Sequence, residues 1–381
     1  MTTPTLTQVP TAGPLVGIRV VEVGSIGPGP HAAMILADLG ADVLRIERER
    51  TVDLGVYPKE NDTTLRGRTR LQVDLRDITQ REHVLDLVDR ADVLIEGFRP
   101  GVAEKLGIGP NICLGRNPAL VYGRMTGWGQ TGPFAHSAGH DINYLSVTGI
   151  LDAIGPADGG PIIPLNLVGD FGGGSMFLVV GVLAALAERQ RSGRGQVIDS
   201  AMTDGASVLA HMMWNMRAHG TWQEGRGHNF ADGSHPFYDT YRCADGKYVA
   251  VGALEPPFFA QLLFGLELEP QLAAEQWNRE LWPILRELFA GAFASRSRDE
   301  WAEAFAGTDA CVTPVLSFDE ARLHPQLMAR HVIGTIAGID QPMPAPRFSR
   351  TPPAVPPSPL NAHAPIADAL ARWGAPVKSF V

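Results

Sequence analysis

Short apolar runs alternate with helix-patterned stretches through the first half of the chain, and this alternation leaves few folds open. Ile18 to Val23 reads as a strand, a Gly/Pro loop follows, and His31 to Leu39 has helical character. Gly40 ends that helix, and Ala41 to Glu47 reads as a second strand. Strand, helix and strand in so short a span make a βαβ unit, which points to a parallel sheet. The pattern continues with Gln72 to Leu75 as a strand and Arg81 to Arg90 as a helix. Val93 to Gly97 and Leu120 to Thr126 are further strands, and Met176 to Arg191 is a long buried helix closed by Ser192-Gly193. The first half is expected to be α/β and doubly wound.

The texture changes near residue 225. Phe237 to Cys243 and Lys247 to Ala253 are strand-like, with Ala244-Asp245-Gly246 as the turn between them. Helical segments are expected at 256–265, 280–293 and 297–306. Gln341 to Pro359 is rich in proline and fits an extended strap rather than helix or central sheet. The expected organisation is a polar tail (1–14), a large Rossmann-like domain (15–200) and a connector (201–230). A smaller α+β domain (231–330) and a strap returning to the large domain (331–381) complete it. A chain of 381 residues is long enough for two cores.

Charge and cysteine content remove several function classes. The net charge of −9 lacks the basic excess of a nucleic-acid-binding protein. Cys113, Cys243 and Cys311 are far apart and form no C-x-x-C pair, so neither a disulfide framework nor a cysteine zinc site is expected. Met176 to Leu186 is the longest apolar run, short of the ~20 residues of a membrane span. The polar, Pro/Thr-rich start has no apolar signal core. A cytoplasmic protein is the expectation.

Gly24-Ser-Ile-Gly-Pro-Gly-Pro30 follows the first strand, but its glycine order departs from G-x-G-x-x-G. Its two prolines also remove N–H donors a dinucleotide would use. A tight loop that admits another segment or a ligand is the better reading. No G-x-S-x-G elbow, P-loop or H-E-x-x-H motif is present. What remains is ionisable residues set against glycine-rich loops. Gly139-His-Asp-Ile-Asn-Tyr144 precedes a helix-like segment, so His140 or Asp141 stands at a helix start. Asp141 there can be a simple N-cap, whereas a positive helix end keeps a histidine a free base. Gly169-Asp-Phe-Gly-Gly-Gly-Ser175 opens the long apolar helix. Asp170 is either its cap or a reactive carboxylate, and three glycines allow something to approach closely. Glu255 ends a strand-like run and by itself reads as an exposed carboxylate.

Together these segments resemble the class III CoA-transferase superfamily, and within it the α-methylacyl-CoA racemase branch. The likeness runs from Gly13 to Pro359. It is carried by Leu15-Val-Gly-Ile-Arg-Val-Val-Glu22, Gly27-Pro-Gly-Pro-His-Ala-Ala-Met34, Ala37-Asp-Leu-Gly-Ala-Asp-Val43, Glu96-Gly-Phe-Arg-Pro-Gly101, Arg124-Met-Thr-Gly-Trp-Gly-Gln130 and Asp309-Ala-Cys-Val-Thr-Pro-Val315. The His140 and Asp170 motifs complete the set. The resemblance implies the class III CoA-transferase fold, a large Rossmann-like parallel-sheet domain plus a smaller α+β domain in an interlocked homodimer. It implies His140 and Asp170 as the two bases of a racemase, Glu255 orienting His140 from the other chain, and the Asp141 N–H facing an enolate oxygen. It also implies a CoA thioester substrate held by Arg48, Arg68, Arg99, Lys105 and Arg124, with no metal or redox cofactor. Arg66-Gly-Arg68-Thr-Arg70 departs from the adjacent basic residues common in the family. Met212, Met213 and Met216 suit either an adaptable acyl wall or plain core. Two other functions stay open: a CoA-transferase with Asp170 as nucleophile, and a non-catalytic acyl-CoA-binding protein.

Overall fold

The computed structural model describes residues 11–48, 62–358 and 363–375, and the tail expected at 1–14 lies mostly outside them. The chain divides into two units. The larger takes the chain up to Ile150, Pro164–His211 and the part from His331 on; the smaller takes Leu151–Ile163 and Met212–Arg330.

Six parallel strands build the larger unit: β1 (Arg19–Val23), β2 (Asp42–Glu47), β3 (Arg68–Gln72), β4 (Val93–Glu96), β5 (Val121–Thr126) and β6 (Val197–Ala201). Their order in the sheet is β3-β2-β1-β4-β5-β6. This is the doubly wound order, and its switch point lies between β1 and β4. The period of two along each strand supplies two cores. Val21, Val23, Leu44, Ile46, Leu94 and Tyr122 pack on one face with the helix Ile78–Val88. Val20, Val43, Val93, Ile95 and Val121 pack on the other with the helices Pro28–Asp38 and Phe177–Ser192. A sheet covered on both faces by crossover helices reads as continuous apolar strands, as this one does.

Local chemistry sets the helix ends. Pro28 and Pro30 open the first helix, where a missing N–H costs nothing. Gly40 follows it with φ +98°, a conformation that glycine adopts without strain. Asp77 caps Ile78–Val88 by accepting from the Thr79 and Gln80 N–H groups.

Three elements depart from the sequence expectation. β3 covers Arg68–Gln72 rather than Gln72 to Leu75. Its arginines look like a loop, but Arg68 pairs with buried Glu22 and Arg70 with buried Glu47. β6 falls within what reads as the end of the large domain, and its exposed first residues hide it. The long helix starts nine residues early. A π-helix, Leu167–Met176, runs directly into Phe177–Ser192. The combined 26 residues are long and apolar enough to cross a membrane by length and composition. Leu178, Val179, Val182, Ala185 and Leu186 are buried against the sheet, whereas Leu167, Met176 and Val180 are exposed.

The smaller unit holds an antiparallel sheet ordered β7 (Tyr238–Arg242), β8 (Tyr248–Gly252), β9 (Val312–Pro314). The β7–β8 turn is the expected one: Gly246 has φ +79°, and Asp245 accepts from the Lys247 N–H at 3.1 Å. The helices Pro256–Gly265, Trp282–Phe293 and Arg298–Ala304 supply Phe259, Leu285, Phe289, Phe293 and Trp301 to its core. In the larger unit the proline-rich segment begins as a strand, β11 (Ile339–Pro342), paired with β10 (Ile333–Ile336). Arg66 ties β11 to the first helix, donating to Gln341 Oε1 at 3.0 Å and to Asp38 Oδ2 at 2.6 Å. A closing helix, Ile366–Trp373, buries Leu370 and Trp373 beside the sheet.

Candidate active site

At the carboxyl ends of the strands, the loops after β1 and β4 meet at the switch point. A Cβ on Gly97 would lie 2.8 Å from the Ser25 side chain, so only glycine permits this approach. The loop after β1 is held from beneath by buried charges. Arg45 pairs with Glu22 and Glu47, and Arg68 pairs with Glu22 while donating to the Pro30 carbonyl. Above this loop stands Asp170: a Cβ on Gly27 would lie 3.5 Å from Asp170 Oδ2. The Gly24–Pro30 loop therefore serves the approach of another segment, and that segment carries a carboxylate.

Asp170 occupies the first turn of the π-helix, a helix type frequent at functional sites. Its carboxylate accepts from Asn166 Nδ2 at 3.3 Å. Its backbone N–H donates outside the helix, to Asp141 Oδ2 at 2.7 Å. Burial pushes the Asp170 carboxyl above the usual carboxylate range, opposed by the Asn166 hydrogen bond and His140 and reinforced by the Asp141 charge.

His140 and Asp141 come from the loop after β5. His140 is exposed and takes the N-cap position of the helix Asp141–Val147. Asn143 Oδ1 folds back to accept the His140 N–H at 3.0 Å. Asp141 is the first helical residue, where backbone N–H groups have no partner within the helix. Its side chain is buried, and Oδ1 makes no hydrogen bond. Tyr144 braces the loop: its hydroxyl donates to the Gly139 carbonyl, and its ring meets Trp128 edge-on at 4.8 Å. Burial raises the Tyr144 phenol to about 12, so it remains a neutral donor. The charges of Asp170, Arg99 and Asp141 all act on it, which groups these residues around one ring.

His140, Asp141, Asp170 and Arg99 are thus brought together in the larger unit. Arg99 is exposed in the loop after β4, and Lys105 is exposed on the short helix Val102–Lys105 that follows. Arg48 is exposed at the end of β2. Arg68 and Arg124 are placed differently from the expectation that they face a CoA ligand. Arg68 is buried with its ion pair to Glu22, and Arg124 is buried between Glu96 and Glu104. Both hold loops of the site from within. Glu255 belongs to the smaller unit, exposed at the start of the helix Pro256–Gly265. Met212, Met213 and Met216 lie on the helix His211–Ala218, which has no buried residue, so plain core does not describe them.

The glycine run after Asp170 has a structural partner. A Cβ on Gly173 would lie 2.6 Å from the Ala206 nitrogen, and one on Gly205 would lie 1.9 Å from the Gly173 oxygen. The helix Met202–Leu209 therefore packs backbone to backbone against the turn that carries Asp170. Asn166 and Tyr144 were missed in the sequence. Asn166 stands four residues before Asp170, a helical spacing that could have indicated it.

Residues 15–365 match a family described as CoA-transferase family III. The chain belongs to that family. It is 46% identical over 341 residues to the α-methylacyl-CoA racemase of Mus musculus, covering 89% of this chain and 87% of the relative. It is 43% identical over 340 residues to the α-methylacyl-CoA racemase of Homo sapiens, with the same two coverages, 89% and 87%. Among solved structures, a CAIB/BAIF family protein from Brucella suis superposes with a TM-score of 0.78 at 29% identity. That match covers 95% of this chain and 100% of the other. The family III fold expected from the sequence motifs is the one observed.

Proposed function

We propose that this family III protein is a racemase that interconverts the (2R) and (2S) forms of 2-methylacyl-CoA thioesters. The observation that carries the reading is the linked pair at the switch point: Asp170 and the His140–Asp141 helix start, joined by the Asp141 Oδ2 to Asp170 N–H bond. The two named racemases at 46% and 43% identity support the choice of reaction.

Inversion at a carbon next to a thioester carbonyl needs a base on each face. His140 and Asp170 supply them. Asp170, held above the usual carboxylate range, is a stronger base when ionised than an ordinary carboxylate. The enolate oxygen forms against the Asp141 N–H, a helix-start donor already aimed when charge develops. Glu255 from a second copy orients the His140 imidazole, so the active species is a homodimer. Arg99, Arg48 and Lys105 contact the CoA phosphates and adenine, while Arg68 and Arg124 support the loops beneath. This chemistry requires no metal and no redox cofactor.

The test is NMR of each pure epimer of a 2-methylacyl-CoA in heavy water. Wild-type protein is expected to erase the α-proton signal with inversion, and Asp170→Ala to slow inversion at least about 100-fold. CoA passing to an added free acid, without α-exchange, overturns the reading and leaves Asp170 as a nucleophile.

A further inference from the structure

His31 lies four residues after Gly27, the residue that faces the Asp170 carboxylate. Its Nδ1 is 2.7 Å from Ser175 Oγ, and Ser175 Oγ is 2.9 Å from the Phe171 carbonyl. The imidazole also packs on the Phe171 ring at 4.4 Å between centroids. Ser175 is fully buried, and Phe171 follows Asp170 directly in the π-helix. A hydroxyl has one proton. Both contacts are hydrogen bonds only if Ser175 gives that proton to the Phe171 carbonyl and accepts the His31 Nδ1–H. The network thus specifies one neutral tautomer of His31. Burial, and then the charges of Arg68 and Arg66, push this histidine down to about 4, so it stays neutral at physiological pH.

The helix Met202–Leu209 packs on this π-helix at Gly173, while His31 meets it at Phe171, next to the base. The Asp170 N–H leaves the helix for Asp141, and the Phe171 N–H reaches the Asn166 carbonyl at 3.3 Å. The π-helical register at Asp170 is a rare one, found most often at functional sites. We propose that His31 is a positioning residue for Asp170: acting through Ser175 and Phe171, it holds the π-helical turn that sets the base on one face of the α-carbon. This rests on the racemase reading above.

The distinguishing measurement is α-proton loss from each epimer separately. Inversion in the two directions is tied by the equilibrium constant and cannot report on one face. Proton loss from the epimer presented to His140 does not require Asp170. His31→Phe keeps a ring and removes the donor, Ser175→Ala removes the relay, and His31→Asn places an amide N–H where Nδ1–H was. His31→Phe and Ser175→Ala are expected to slow proton loss from one epimer about 10-fold or more relative to the other. KM for both epimers should stay within about 3-fold, because CoA contacts are untouched. His31→Asn should restore most of the lost ratio, and the double variant should be no worse than either single one. Equal slowing of both epimers, an effect on KM alone, or an unchanged ratio overturns the proposal. Wild-type protein that exchanges neither epimer overturns the racemase reading itself, a distinct failure. Ser175→Ala removes a single oxygen and keeps the test open should His31→Phe fail to fold.

Discussion

In the proposed reaction Asp170 gains and loses a proton in each turnover, and such a carboxylate benefits from an anchor that does not use its own oxygens. Asp170 has one in its backbone N–H, which Asp141 Oδ2 accepts at 2.7 Å. Gly169 makes the link sterically possible: a Cβ there would lie 2.5 Å from the same Asp141 oxygen. Asp141 is buried and has no room to withdraw. Gly169→Ala is therefore expected to shift Asp170 against Asp141. The loss should be up to about 100-fold in kcat, with about 1–3 kcal/mol of stability lost to overpacking. Steady-state kinetics and urea unfolding on one preparation check both numbers; full activity would mean the link is dispensable. His140, Asp141 and Asp170 were legible in the sequence because each stands where a glycine-rich loop enters a helix. Asn166, Ser175 and His31 were not, since their roles depend on a π-helical register that periodicity does not show.

At the scale of elements, β1, β2, β4 and β5 were visible as apolar runs, whereas β3 was displaced by four residues. The reason lies in Arg68 and Arg70. β3 satisfies its arginines with Glu47 on the adjacent β2 and Glu22 on β1 one strand further, partners that a local window does not see. The same burial decides what Arg68 does. Its side chain is wholly inaccessible and reaches the Pro30 carbonyl as well as Glu22. Removing one partner of a buried pair leaves the other charge poorly compensated. Arg68→Ala is expected to cost about 3–5 kcal/mol in urea unfolding, although Arg45 still shields part of the Glu22 charge. A variant that unfolds normally but binds CoA weakly would instead return Arg68 to the ligand surface. The glycines after Asp170 follow the same logic: their small size was legible, but the partner was the helix Met202–Leu209 rather than a ligand.

For the whole molecule, β7 and β8 were readable from their turn, but β9 pairs with β8 across some sixty residues and three residues are too few for a pattern. Acid stability is one property that depends on the folded chain as a whole. His31 titrates near 6.5 when unfolded and near 4 when folded, so the unfolded chain binds more protons between these values. Stability conferred by the neutral imidazole is full above about pH 6.5 and is lost as pH falls through about 4. His31→Asn should show a flatter loss than wild type across that window, read from urea midpoints at pH 7, 5.5 and 4. The assembly is the other such property. If Glu255 of one copy completes the His140 site of another, the two defects complement within a mixed dimer. A dimer of one His140→Ala chain and one Glu255→Ala chain would hold one doubly damaged site and one intact site. Such dimers, isolated by two different affinity tags, are expected to recover about half of wild-type kcat, while each pure variant stays low. If the two chains interlock, as the family resemblance implies, they cannot exchange once folded, so co-expression should give this recovery and mixing of purified variants should not. No recovery in co-expressed mixed dimers would place both residues of each site on one chain.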